Sequence, residues 1–405
     1  MHVLLIHQSF AALDEPGGTR HYEFARYLAE QGHRVTVIAS PVSYLTGDDQ
    51  SGGRRSERQA FPGGGEVNIV RAYTYSALHR SFLHRVFSYL SFMLSSFLEG
   101  MKVRQVDLVW GTSPPIFQGV TALALARLKR APFLFEVRDL WPAFAVAVGV
   151  LRQPVLIRAS EWLERFLYQN ANLVVVNSPG FLEHVRQRGA AQVALVPNGA
   201  DSRMFDPQSA GAGFRQDHHL AGKYVVLYAG AHGISNDLEV ALEAACLLRD
   251  RPQVALVFLG AGKEKANLVR KAAEMALENV LFLPPISKEE MPQALAAADA
   301  CLAILKPVPL YATVYPNKVF DYMAAGRPVV LAIDGVIRQV IEKSAAGIYA
   351  PPGDPAALAA AIRRLADDPQ TGQAMGKRGR QAVEAEFDRA ALAEKLAALM
   401  QSLHR

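Results

Sequence analysis

The run Tyr315-Pro-Asn-Lys-Val-Phe-Asp-Tyr-Met-Ala-Ala-Gly-Arg-Pro-Val-Val330 leaves few folds open to the chain around it. Upstream, Asp299-Ala-Cys-Leu-Ala-Ile-Leu305 reads as a buried strand and residues 306–315 as a loop. Pro316 suits a first helical turn, where an N–H would have had no partner anyway. Gly326 stops the helix, Pro328 bars its continuation, and Val329-Val-Leu-Ala-Ile333 is the next strand.

Such a strand–loop–helix aims free backbone N–H groups and a positive dipole end at the loop, which favours bound phosphate. Lys318, in the first turn, is out of place at a positive helix end unless an anion offsets it. Asp321 stands one turn further on, where a carboxylate could accept a hydrogen bond from a ribose hydroxyl. The competing reading is a surface lysine and an acidic residue near a helix start. The pattern alone leaves both open.

Residues 317–330 also resemble the donor-site helix of family 4 glycosyltransferases with the GT-B fold. The likeness is strongest to the branch that builds bacterial O-antigen, capsule and exopolysaccharide repeats. It implies an α/β fold of two Rossmann-like, doubly wound parallel-sheet domains facing a cleft, with Asn317 and Lys318 on the donor side. The family pattern carries two glutamates separated by seven residues. Asp321 stands at the second, which meets the nucleotide ribose. Thr313 stands at the first, so the carboxylate usually aimed at the donor sugar is missing.

A length of 405 residues exceeds one typical domain, so two are expected. Net charge is +5, which suits anionic partners such as nucleotide-sugars, phospholipid headgroups or lipid pyrophosphates. No long Lys/Arg block occurs, which argues against nucleic acid. Cys246 and Cys301 sit in apolar contexts and read as buried thiols, in keeping with a reducing cytosol. The start, Met1-His-Val-Leu-Leu-Ile6, reads as a strand rather than a signal peptide, and no apolar run reaches bilayer-spanning length.

In the first half, a strand at residues 3–6 leads through a glycine-containing loop to a helix over 19–30 and a strand at 35–39, a right-handed β-α-β unit. Gly17 and Gly18 at the helix mouth permit close backbone approach to a ligand, although a Gly-Gly pair also serves as a plain turn. Pro16-Gly-Gly18 resembles the family's loop near the diphosphate. Residues 46–66 read as a mobile loop.

The segment 81–98 has two readings. Leu83, Val86, Phe87, Leu90, Leu94 and Phe97 form one helical face that would ordinarily be core, widened by Phe82, Tyr89 and Phe92. With Arg80, His84 and Arg85 beside it, the same helix could lie in a membrane interface over residues 80–98. Further on, Phe133-Leu-Phe-Glu-Val137 is a strand whose carboxyl end delivers Arg138 and Asp139 to the crevice where ligands bind. Asp139 is a candidate for holding the acceptor or a donor hydroxyl, and Arg138 for meeting a phosphate. A helix cap and a surface arginine are the alternative. Glu-Val-Arg-Asp-Leu-Trp-Pro resembles the corresponding segment of the O-antigen branch and favours the functional reading.

Pro197-Asn-Gly-Ala-Asp201 is concentrated turn chemistry and resembles the family's interdomain joint. The expected divisions are residues 1–197 for an acceptor-binding domain, 198–222 for a linker, and 223–385 for a nucleotide-sugar-binding domain. A terminal helix over 386–405 crosses back, as the resemblance implies. Gly230-Ala-His-Gly233 follows a strand where many family members carry an arginine and a lysine for the diphosphate. Here His232 stands instead, so Lys318 and backbone N–H groups at Gly233 carry more of that task. Gly260, in the turn after Val254-Ala-Leu-Val-Phe-Leu259, and Ile286, after the next strand, could frame the base. Gly-x-Gly-x-x-Gly is absent, with Lys265 at the third position, so no nicotinamide cofactor is expected.

These readings converge on a glycosyltransferase taking a nucleotide diphosphate-sugar, UDP-linked, as substrate, with Asp139 and Lys318 as catalytic candidates. No cofactor and no metal site is expected, because Asp-x-Asp and zinc spacings are absent. The resemblance implies retention of anomeric configuration, a lipid-linked saccharide acceptor, and a cytoplasmic protein at the inner face of the membrane. Alternatives are a nucleotide-sugar 2-epimerase of the same fold and a membrane-associated scaffold with a decayed site. Oligomeric state is not legible.

Overall fold

The computed structural model describes residues 1–44, 46–49, 51–76, 82–207 and 210–404, with residues 82 and 83 described by backbone only. The chain divides into two compact units: Met1–Pro197 with Ala390–Arg405, and Asn198–Arg389.

The first unit is built on β1 (His2–Ile6), α1 (Arg20–Glu30), β2 (Arg34–Ala39), β3 (Ser56–Ala60), β4 (Glu66–Arg71), α2 (Phe82–Lys102), β5 (Leu108–Ser113), α3 (Phe117–Lys129), β6 (Phe133–Val137), α4 (Ala143–Ala147), α5 (Pro154–Asn170), β7 (Leu173–Val176), α6 (Leu182–Gln187) and β8 (Val193–Leu195). Among the described residues the strands form one sheet in the order β3-β4-β2-β1-β5-β6-β7-β8. Every pairing is parallel except β3 with β4. The central strands read as nearly unbroken apolar runs because helices cover both faces. The chain leaves β1 toward β2 and returns at β5. Their carboxyl ends therefore mark the point where strand order reverses, which is where such sheets bind ligands.

The second unit holds α7 (Ala212–Asp217), β9 (Tyr224–Ala229), α8 (Leu238–Leu247), β10 (Val254–Leu259), α9 (Lys265–Glu274), β11 (Val280–Leu283), α10 (Met291–Ala296), β12 (Ala300–Ile304), α11 (Asn317–Ala324), β13 (Val329–Ala332), α12 (Val336–Ser344), β14 (Gly347–Tyr349), α13 (Pro355–Asp367) and α14 (Pro369–Ala382). Its strand order is β11-β10-β9-β12-β13-β14, all parallel, and reverses between β9 and β12. A last helix, α15 (Arg389–His404), ends the described chain, and its residues from Ala390 onward pack with the first unit.

Four sequence expectations need correction. Residues 46–66 are not one loop: their second part is β3, a polar edge strand paired antiparallel with β4 (residues 45 and 50 lie outside the described residues). The expected linker, residues 198–222, carries the helix α7, although residues 208 and 209 are likewise undescribed. Cys301 is buried as expected, but Cys246 is only half-buried.

The fourth correction concerns α2. The face expected to be core is only partly inward: Phe87 is 62% exposed and Leu94 63% exposed, with Leu98 and Met101 exposed as well, while Val86, Leu90 and Phe97 are half-buried. The inner face is Phe92, Ser96 and Gly100, whose small members let α3 come close enough for Leu125 to press on Gly100. Arg80 and Ser81, with the side chains of Phe82 and Leu83, fall outside the described residues.

Candidate functional site

In the second unit the predicted residues collect at the carboxyl ends of β9 to β12. Helix α11 begins one residue later than Pro316, which stands at its cap position, and no side chain caps its first turn. Burial of Val319, Phe320 and Met323, at about 1.5–3 kcal/mol each, anchors the helix. The Tyr322 hydroxyl accepts from the Ala229 amide at 2.9 Å and lies 3.2 Å from the Ala229 carbonyl, tying α11 to the end of β9.

This tie places Lys318 against Gly230. The Lys318 ammonium sits 3.8 Å from the centroid of the Tyr228 ring, with no hydrogen-bond or ion-pair partner among the described residues. Burial pulls it well below the usual lysine range, to about 7. A side chain on Gly230 would begin 2.7 Å from that ammonium, and Gly230 has φ +144°. The turn can therefore hold only glycine while Lys318 stays where it is.

His232 is fully buried, ringed by Tyr228, Phe258 and Phe282, and neither ring nitrogen finds a hydrogen-bond partner among the described residues. Burial, then Lys265 and Lys318, lower its pKa to about 4, so the ring is neutral. Its Nε2 lies 3.4 Å from where a Cβ on Gly260 would stand, so the ring packs under that turn. A Cβ on Gly260 would meet the Gly230 carbonyl oxygen at 1.9 Å. Lys265 fixes the same corner by donating to the carbonyls of Gly260 (2.7 Å) and Leu283 (2.6 Å).

Ile286 lies two residues before Lys288, whose ammonium donates to Asp321 Oδ2 at 2.7 Å. Asn317 Nδ2 reaches the same oxygen at 3.3 Å. Asp321 is thus held as a buried, paired carboxylate. Thr313 turns its hydroxyl back to the Leu310 carbonyl at 2.7 Å, ending a short 3₁₀ turn.

In the first unit, Gly17 and Gly18 precede α1, and no side chain caps that helix at Thr19. Arg138 follows β6 and is braced through Nε to Thr112 Oγ1 at 2.9 Å and through Nη2 to the Pro114 carbonyl. Asp139 keeps surface open to solvent, while the protein packed around its carboxyl raises it to about 6, against the pull of Arg138. Beneath them Glu136 is completely buried and accepts from Arg20 Nε (2.9 Å), His21 Nε2 (2.9 Å) and Trp110 Nε1 (3.1 Å). Burial alone would raise Glu136, but His21 and Arg20 hold it far below the usual carboxylate range. Arg20 also donates to the carbonyls of Val196 and Pro197, both at 2.7 Å. Arg20, at the start of α1 after the glycine loop, therefore ties the buried Glu136 of β6 to the last residues before the second unit.

Sequence reasoning grouped Gly230, His232, Gly233, Gly260, Ile286, Thr313, Asn317, Lys318 and Asp321, all of which fall on one side of the second unit's sheet. It missed Tyr228, Lys265, Lys288 and Tyr322, and in the first unit Arg20 and Glu136. A glutamate inside the apolar run Phe133–Val137 and an arginine two residues after Gly18 were the available signals for that buried pair. No group of three His, Cys, Asp or Glu among the described residues could hold a metal ion, and no described helix is long and apolar enough to cross a membrane.

Comparison with known proteins fits this geometry. Residues 223–368 match the family model of glycosyl transferases group 1, and residues 17–199 that of the glycosyl transferase 4-like domain. WcaI of Escherichia coli strain K12, a protein named as a colanic acid biosynthesis glycosyl transferase, is 27% identical over 325 residues, covering 77% of this chain and 78% of its own. Among solved structures, sucrose-phosphate synthase from Thermosynechococcus elongatus superposes with a TM-score of 0.79 at 22% identity, covering 99% of this chain and 98% of that one. HepE of Anabaena, solved with UDP and glucose, gives 0.74 at 18% identity, covering 99% and 100%. At these identities the structures establish a shared GT-B fold.

Proposed function

We propose, on the premise that the chain belongs to the group 1 glycosyltransferases with a 4-like first domain, that it moves a sugar from a UDP-sugar to a lipid-linked saccharide in bacterial surface polysaccharide synthesis. The observation that carries this reading is the Lys318 ammonium, held without an anionic partner among the described residues at the uncapped mouth of α11. A half-buried cation in the first turn of a helix, with an aromatic ring rather than a carboxylate beside it, is a poor way to stabilise an empty fold and a good way to receive a diphosphate.

On this reading the second unit holds the donor. Lys318 and the amides at the start of α11 and at Gly233 take up charge on the departing diphosphate. Because they are fixed beforehand, no reorganisation is needed as that charge develops. Asp321, aimed by Lys288 and Asn317, meets the ribose. Gly260 and Ile286 frame the base. Thr313 offers a hydroxyl where the family has a carboxylate, so the donor sugar is gripped differently here.

The first unit holds the acceptor, with Asp139 orienting a hydroxyl and Arg138 meeting a phosphate. Anomeric configuration is retained. The exposed apolar face of α2, with Arg85 and Lys102 near its ends, suits peripheral docking on an anionic leaflet where lipid-linked acceptors reside. HepE, of the same fold, holds UDP and glucose, which supports the choice of donor class.

The test is turnover with a panel of nucleotide-sugars and a lipid-linked saccharide acceptor. Lys318→Ala should lower transfer at least a hundredfold while the circular dichroism spectrum stays unchanged. Full activity in that variant, or isomerisation of the donor without an acceptor, would count against the proposal.

A further inference from the structure

Tyr228 takes no part in the reaction as outlined, yet it is the group in closest register with Lys318. Its ring is 1% exposed, and the ammonium rests over its face at 3.8 Å from the centroid. The phenol is itself fixed: its hydroxyl donates to the Ala231 carbonyl at 2.7 Å, and its ring packs on those of His232 and Phe258. Gly230 also lies close by: a Cβ there would stand 2.7 Å from the ammonium. A lysine on a helix has four rotatable bonds and about 2 kcal/mol of rotamer entropy. Here a rigid π face replaces the hydrogen-bond partners that would otherwise hold it, and it does so without neutralising the charge.

We infer that Tyr228 is a positioning residue for the diphosphate. Its ring face keeps the Lys318 ammonium aimed at the end of β9 before the nucleotide arrives and continues to hold it in the complex. This rests on the proposed function, because it presumes that Lys318 receives a diphosphate. An anionic partner would have held the ammonium equally well, but a carboxylate there would repel the ligand. The aromatic face is the solution that leaves the charge available, and it explains why an apolar core strand carries a tyrosine at its next-to-last position.

The experiment replaces residue 228 with phenylalanine and with mono-, di- and trifluorophenylalanine, and measures UDP affinity by titration calorimetry. Fluorine withdraws density from the ring face while barely altering its shape, so the variants should fold alike. Affinity should fall stepwise along the series, by about three- to tenfold from phenylalanine to the trifluoro ring. In a Lys318→Met background the same series should be flat. Equal affinity across the series in the presence of Lys318 overturns the inference, as does an unchanged decline in the Lys318→Met background. If Lys318→Met alone binds UDP as tightly as the natural chain, the proposed function falls, and this inference with it. A weakened Lys318→Met together with a flat fluorine series overturns the inference alone.

Discussion

The Lys288 ammonium and the Asp321 carboxylate meet at 2.7 Å with both side chains almost wholly buried, although 33 positions separate them in the chain. The Lys288 stem also sets its charge over the Phe205 ring, at 4.9 Å. A buried ion pair of this kind contributes little net stability, but breaking it from one side leaves a charge stranded. Lys288→Met should therefore destabilise the fold by about 3 kcal/mol, and the double variant Lys288→Met/Asp321→Asn by clearly less. Urea unfolding of the two proteins checks this. Equal losses would mean that the pair is not energetically coupled.

The turn at Gly260 is closed by backbone. A Cβ there would fall 1.9 Å from the Gly230 carbonyl oxygen, at φ +149°. Gly260→Ala should cost about 1–3 kcal/mol and weaken UDP binding in parallel. Gly230→Ala meets instead the movable end of Lys318. It should lose UDP affinity with a smaller loss of stability. Thermal melts and calorimetry on the two variants separate these outcomes.

The outer face of α2 predicts a lipid effect. Phe87→Glu and Leu94→Glu place charge on positions that are already exposed, so the fold should be unaffected. Co-sedimentation with vesicles containing anionic lipid should drop severalfold in the double variant. Transfer to a water-soluble acceptor should persist. Unchanged sedimentation would remove α2 from the docking surface.

Holding Lys318 in this setting costs stability. Its pKa is lowered by burial to about 7, so below that pH the folded chain bears the full cost of a desolvated ammonium. As pH rises from 7 toward the ordinary lysine range, the folded state sheds the proton while the unfolded state keeps it, and that cost is progressively relieved. Lys318→Met should accordingly melt higher than the natural chain by a few °C, on the order of 2–4 °C per kcal/mol recovered. The gain should be largest at pH 6–7 and shrink by pH 9. A lower melting temperature for Lys318→Met at pH 7 would contradict this.

Much of this was legible from the sequence because it is local. Apolar runs bounded by glycine and proline mark β6, β9, β10 and the β12–α11–β13 unit, and backbone rules tie Asn317, Lys318 and Asp321 to one helix start. What was not legible depends on partners distant in the chain. Lys288 and Tyr228 acquire their meaning from Asp321 and Lys318, and Arg20 acquires its own from Glu136 and Pro197. The α2 error has a different origin. Periodicity identifies which face of a helix is apolar but not which face packs. Ser96 and Gly100 win the inner side because small residues let α3 approach. Strand β3 escaped notice because an edge strand exposed on both faces shows no apolar alternation.

The central claim is that Lys318, whose pKa burial lowers to about 7, receives a diphosphate as an ammonium, and the pH dependence of UDP binding tests it most directly. A bound diphosphate should raise the lysine's pKa, so above pH 7 binding must take up a proton. Between pH 7.5 and 9 the association constant for UDP should fall by up to tenfold per pH unit, and calorimetry in buffers of different ionisation enthalpy should register proton uptake. Lys318→Met should bind more weakly and show neither effect. Proton-neutral binding with a flat profile over that range would contradict the account.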